Sequence, residues 1–269
     1  MQSQGPIIER RNRHDRRSDD PHPLAGALAG AIKAGQVDVL FQPQFSCKGG
    51  QICGAEALVR WHHRDQGEIG GDMLFGIASR SGLARQLTLY VLAKSLAAAL
   101  EWPQDLRLSF NITPADLADE HFANSVAQAL AQSGFSPERL TLEITEQALV
   151  RDLEGSAERL RMLVNQGIRV ALDDFGAGFC NFRYLKTLPL HYLKLDRSMV
   201  EGICEDERDL EVLRGIIAMA NALDLAVIAE GIELKDQLEA VCAEGCESWQ
   251  GFWGARPVDG SQIARMAAL

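Results

Sequence analysis

VLFQPQF at 39–45 and CGAEALVRW at 53–61 flank the short connection SCKGGQI at 46–52, and these three stretches decide the fold. Both outer stretches are rich in aliphatic and aromatic residues at strand length. The connection between them carries Gly49 and Gly50 and is too short for a helical crossover, so the two strands pair as an antiparallel hairpin. Outward from the hairpin the pattern changes. Strand-like runs follow at LRLSFNIT (106–113), LTLEITE (140–146), RVALDDF (169–175), YLKLD (192–196), AVIAEG (226–231) and ESWQGFW (247–253). Segments with helical spacing of Ala and Leu lie between most of them, at 87–102, 121–134, 157–167 and 207–224. Strands alternating with helices predict parallel pairing with the helices outside. Gly134 and Gly167 stand where left-handed helix ends want a residue without Cβ. The expected architecture is therefore α/β, a modified (β/α)8 TIM-type barrel whose first strand runs antiparallel.

A chain of 269 residues suits one such barrel, and 46% hydrophobic content supplies its core. Residues 1–22 are different. They hold five arginines and four acids with almost nothing apolar, which predicts a flexible tail or linker ahead of a folded domain at 23–269, and suggests an upstream region in a longer parent protein. The net charge of −10 argues against DNA as a partner. With neither an apolar run of spanning length nor a secretory leader, a cytoplasmic protein without a membrane segment is expected. Six cysteines in so large and well-filled a chain read as reduced thiols. Trp249, Phe252 and Trp253 read as barrel and edge packing rather than a platform for stacking bases.

The polar residues of the strand runs are not scattered. Glu56, Asn111, Glu143, Asp173, Asp174, Lys194, Glu230 and Gln250 fall late in successive strands, and in a barrel those ends converge on one rim. A carboxylate in a buried strand loses several kcal/mol of solvation unless it is paired or metal-bound. Taken singly, each residue has an ordinary reading: Asp173-Asp174 as a helix cap ahead of Gly176, Asn111 as a turn residue before Thr113-Pro114, Glu56 as half of an ion pair. Their coincidence at equivalent strand ends favours one shared site. Hard oxygen donors without histidine suit Mg²⁺ or Mn²⁺ rather than zinc. Adjacent aspartates can serve two ions roughly 3.5–4 Å apart, an arrangement suited to hydrolysis of phosphate esters. Ca²⁺ should bind such a site without supporting turnover, being larger and a poorer activator of water.

The chain resembles the EAL domain family, bacterial hydrolases of cyclic di-GMP. Glu56-Ala57-Leu58 stands in CGAEALVRW, with FQPQF (41–45), FNIT (110–113), LEITE (142–146), DDFGAG (173–178), YLKLD, AEGIE (229–233) and QGFWGARP (250–257) in matching order. The resemblance implies a metal-dependent phosphodiesterase that linearises cyclic di-GMP to pGpG. It implies one divalent cation on Glu56, Asn111, Glu143 and Asp173, and a second on Asp173, Asp174 and Glu230. Lys194 would lie against the attacking water, so Lys194, Glu230, Glu56 and Asp173 form the expected catalytic set. Gln42, Leu58, Arg60, Asn111, Glu233 and Gln250 match positions around the substrate. Glu146 matches the acid that anchors the loop after DDFG, linking a homodimer to metal binding. Family members also include silent receptors and protein-binding adaptors, with eroded carboxylates; none is eroded here. The chain departs from the family pattern at Arg64, Leu74, Phe75, Gly76 and Ser79, along the substrate groove, and at Gly254, where a bulky residue is usual. No cyclase block is found.

Overall fold

A computed structural model describes residues 23–146, 152–177 and 182–268. The tail expected over residues 1–22 lies outside the described residues.

After a first helix, α1 (Ala25–Lys33), the chain enters β1 (Val37–Ser46) and turns back as β2 (Ile52–His63), paired antiparallel from Val37↔Trp61 to Phe45↔Ile52. A short strand, β3 (Gly67–Gly70), folds back onto the end of β2, and α2 (Gly71–Arg80) and α3 (Ala84–Ala99) follow. The parallel part begins at β4 (Arg107–Asn111), continuing through α4 (Pro114–Ala118) and α5 (Phe122–Ser133) to β5 (Leu140–Thr145). Helix α6 (Leu153–Val164) leads to β6 (Arg169–Phe175), and α7 (Phe182–Thr187) to β7 (Tyr192–Leu195). The chain closes with α8 (Glu207–Ala222), β8 (Ala226–Ala229), α9 (Lys235–Ala243), β9 (Ser248–Trp249) and α10 (Gly260–Ala267). Strand order is β1-β9-β8-β7-β6-β5-β4-β2-β3, and the β1–β2 pairing closes the ring. Eight strands thus form a barrel with β3 as an external flap, and β1 is antiparallel to both its neighbours.

That is the expected barrel, with two additions. The strand β3 and the helix α2 were not legible in residues 64–80, where glycines interrupt any periodic pattern. The run 247–253 contributes only two strand residues, enough for Trp249 to pair with Phe45 and stack on its ring at 4.8 Å. Trp249 is packed, but Phe252 and Trp253 stand about half exposed, so two of the three aromatics read as packing are on the surface. Gly254 is explained by the same stack: a Cβ there would lie 2.3 Å from the Phe45 ring, which already fills the space.

Helix ends follow local chemistry. Thr113 and Asp116 form a reciprocal capping box around Pro114 at the start of α4, and Gly134 ends α5 in the left-handed region at φ 74°. Between helices and strands, Phe41 meets Trp102 edge-on at 5.0 Å while the Trp102 indole donates to the Gly260 carbonyl, tying α10 to the rest.

One expectation is overturned. Cys47, just past β1, and Cys242, in the last turn of α9, form a disulfide across 195 residues of sequence. Barrel closure brings the start of the β1–β2 turn beside α9, a proximity that cysteine count alone does not contain. Among the described residues Cys53, Cys204 and Cys246 are free, and Cys180 lies outside them.

Candidate active site

Residues two apart on a strand share a face, so each barrel strand contributes stacked inward positions. The lower inward positions are Gln44, Gly54, Ser109, Thr141, Ala171, Tyr192 and Ile228. Two residues on, toward the carboxyl rim, come Glu56, Asn111, Glu143, Asp173, Lys194 and Glu230, with Gln42 opposite Glu56 on the antiparallel strand. The barrel interior is thus a mixed polar and apolar plug beneath an ionic layer.

Lys194 occupies the centre of that layer with no exposed surface. Its ammonium lies 2.6 Å from Glu143, 2.8 Å from Glu230, 2.9 Å from Asp173 and 3.5 Å from Glu56. Burial works against its charge, but Asp173, Glu143, Glu230 and Glu56 together hold its pKa well above the ordinary lysine value. Around it the carboxylates differ. Burial raises Glu56, yet Lys194 and hydrogen bonds from Gln250 and Asn111 prevail and keep it below its usual value. Burial dominates at Glu143, which is pushed well above, and at Glu230, pushed up to about 8 despite Lys194. Asp174 is raised first by burial and then by Asp173.

The oxygens are held in place. Asn111 Nδ2 donates to Glu56 Oε1 at 2.6 Å, and Gln250 Nε2 donates to Glu56 Oε2 at 2.8 Å and Glu230 Oε1 at 2.9 Å. At β6 the β6–β7 register slips between Leu172 and Phe175, and Asp174 takes a positive φ of 55°. A non-glycine residue in that region carries local strain, and here it turns two consecutive carboxylates toward one site.

Two carboxylate triplets result, Glu56–Glu143–Asp173 and Asp173–Asp174–Glu230, each with ligand oxygens within 4.8 Å of one another. Asp173 belongs to both. Glu143 Oε1 is buried with no hydrogen-bond partner, an oxygen whose lost hydration nothing in the protein replaces. Oxygen-only donors, one shared carboxylate and one unsatisfied buried oxygen fit a pair of hard divalent cations.

Above the layer opens a cavity of about 940 Å³, lined among others by Glu56, Leu58, Arg60, Glu68, Asp173 and Glu230. Asn111, Asp174 and Phe75 also reach it. Arg60 is held at the wall, its Nε 3.5 Å from Glu68, which also meets His62 at 3.1 Å. Other sequence-marked residues sit elsewhere. Gln42 donates to the Ala255 carbonyl at 2.5 Å, Glu233 pairs with Arg197 at 2.8 Å, and neither lines the cavity. Glu146, at the end of the described part of its segment, has a buried, unpartnered Oε1, and burial raises its pKa. Of the groove departures, Phe75 reaches the cavity, Leu74 packs into the core and Arg64 points to solvent beside Asp65. Glu68 was unmarked in the sequence, because its role depends on the β3 flap lying over Arg60.

The EAL domain profile matches residues 25–257, nearly the whole described chain. The chain belongs to the EAL domain family. Similar proteins include the cyclic di-GMP phosphodiesterase NbdA of Pseudomonas aeruginosa, 35% identical over 86% of this chain and 30% of NbdA. An uncharacterized signaling protein of Caulobacter vibrioides is 36% identical over 87% of this chain and 29% of its own length. The solved phosphodiesterase of PaMucR, in complex with c-di-GMP, superposes with a TM-score of 0.83 at 32% identity, covering 89% of this chain and 99% of that one. The chain spans about a third of the length of the curated relatives it matches. Among the described residues of this EAL domain, no helix is long and apolar enough to cross a membrane.

Proposed function

We propose that this EAL domain hydrolyses cyclic di-GMP to linear pGpG. The observation that carries the reading is Asp173, shared by two carboxylate triplets at the floor of an open cavity. A name such as that of NbdA supports the substrate class. In this reading Glu56, Asn111, Glu143 and Asp173 hold one Mg²⁺ or Mn²⁺, and Asp173, Asp174 and Glu230 hold the other. Bound there, the cations supply positive charge for the phosphodiester and make an attacking water more acidic. The protein residues do the rest. Arg60, at the cavity wall, receives the anionic substrate with its planar fork, alongside Leu58. Lys194 counters negative charge building on the attacked phosphate from beneath, and Gln250 keeps the oxygens of Glu56 and Glu230 aimed. Water forms the new P–O bond, one bridging P–O bond breaks, and the leaving sugar oxygen gains a proton, giving one linear dinucleotide. Gln42 and Glu233 act behind the substrate wall, Glu146 as a regulatory anchor, and the homodimer and an upstream sensory or cyclase region belong to the same reading.

The test is chromatography of cyclic di-GMP incubated with the purified chain and Mg²⁺ or Mn²⁺, with EDTA and Ca²⁺ arms. pGpG should appear with Mg²⁺ or Mn²⁺ alone, and be lost in Glu56→Ala and Asp173→Asn. Turnover in EDTA, or turnover surviving either substitution, would overturn the proposal.

A further inference from the structure

Gln44 sits one interior layer below the carboxylates, buried on β1, and faces Gly54 across the hairpin. The glycine makes room for it: a Cβ on Gly54 would lie 3.2 Å from Gln44 Oε1 and 2.8 Å from the Arg107 carbonyl. From there Gln44 Nε2 donates to Gln250 Oε1 at 3.1 Å and approaches Ser109 Oγ at 3.4 Å.

A side-chain amide has one oxygen that only accepts and one nitrogen that only donates. Gln250 spends both hydrogens of its nitrogen on Glu56 Oε2 and Glu230 Oε1. Its oxygen must therefore face away from the carboxylates, and the group waiting there is the Gln44 donor. Inverting the Gln250 amide would set its oxygen against two carboxylate oxygens and its nitrogen against another NH₂. The hydrogen bond from Gln44 thus reinforces, from the far side, the Gln250 orientation that holds an acid from each carboxylate triplet. We propose that Gln44 is a positioning residue for the divalent-cation site, acting through Gln250 on Glu56 and Glu230. The inference rests on the two-cation reading above.

Mn²⁺ titration calorimetry on the full chain tests it, using wild type, Gln44→Met, Gln44→Glu, Gln250→Met and the Gln44→Met/Gln250→Met double variant. Methionine keeps length without a donor; glutamate keeps shape and, ionised, cannot donate. Outer-sphere partners of metal ligands typically change affinity by about 10–100-fold. Mn²⁺ affinity should fall by about tenfold or more in both Gln44 variants, with cooperative melting retained in EDTA. The double variant should bind no more weakly than Gln250→Met, because Gln44 acts through that residue. Wild-type affinity in Gln44→Met, additive losses in the double variant, or loss of cooperative folding in both Gln44 variants would each overturn the assignment. Absence of Mn²⁺ binding by wild type would instead overturn the two-cation reading, and the Gln44 proposal with it.

Discussion

The Lys194 ammonium lies 2.6 Å from Glu143 Oε2, both side chains essentially without solvent contact. Removing one partner of a buried ion pair leaves the other desolvated and uncompensated, at a cost of about 3–5 kcal/mol. Lys194→Met is expected to lose about that much stability in EDTA at pH 8. Divalent cations should restore more of it than they add to wild type, since they supply the missing charge. Denaturant melts with and without Mg²⁺ measure this, and equal metal stabilisation of the two proteins would refute it.

Glu230 gives the pH dependence. Its ordinary value of 4.5 rises to about 8 in the folded, metal-free protein, so the native state binds a proton that the unfolded chain has released between those limits. Its stabilising contribution is complete below about 4.5 and fades as pH rises toward 8. A cation must displace that proton. Mn²⁺ affinity should therefore increase up to about pH 8, with proton uptake by buffer visible when calorimetry is repeated in buffers of different ionisation enthalpy. Affinity that is flat between pH 5.5 and 7.5, taken as roughly the span of the shift, would contradict it.

Arg60 and Glu68 make a pair at the cavity mouth with half of Glu68 exposed, which places its worth in the range of about 0.2–1 kcal/mol. Glu68 also sets a negative charge on the cavity wall that the proposed anionic substrate would face. Glu68→Gln should tighten cyclic di-GMP binding in Ca²⁺ by about two- to fivefold, read by equilibrium titration. Weaker binding would show that Glu68 holds Arg60 in place instead of competing for it.

The cysteines offer a chemical check. Among the free thiols of the described residues, Cys204 is exposed, Cys53 half-buried and Cys246 buried, with burial pushing the Cys246 thiol up to about 12. Native alkylation followed by peptide mapping should mark Cys204 ahead of Cys53 and spare Cys246. Cys47 and Cys242 should react only after reduction, which lowers stability by about 3–5 kcal/mol for so long a loop. Free alkylation of Cys47 without reductant would refute the bridge.

Much of this was legible in residue order. The seven-residue connection at 46–52 compelled the hairpin, and period-two placement of Glu56, Asn111, Glu143, Asp173 and Lys194 put them on one inward face. The β3 flap was not, because Gly67, Gly70 and Gly71 carry no periodic signal and its pairing depends on β2 being there first.

The sequence by itself determined which side chains face the barrel axis, since strand alternation is a local property of the backbone. Tertiary structure alone decided which of those side chains meet. Lys194 reaches carboxylates on three other strands and Glu230 just past a fourth, Gln44 reaches Gln250 across 206 residues, and Cys47 reaches Cys242 only after the ring closes. Such contacts depend on barrel closure and strand register, which are set by the packing of the whole chain and by no short stretch of it.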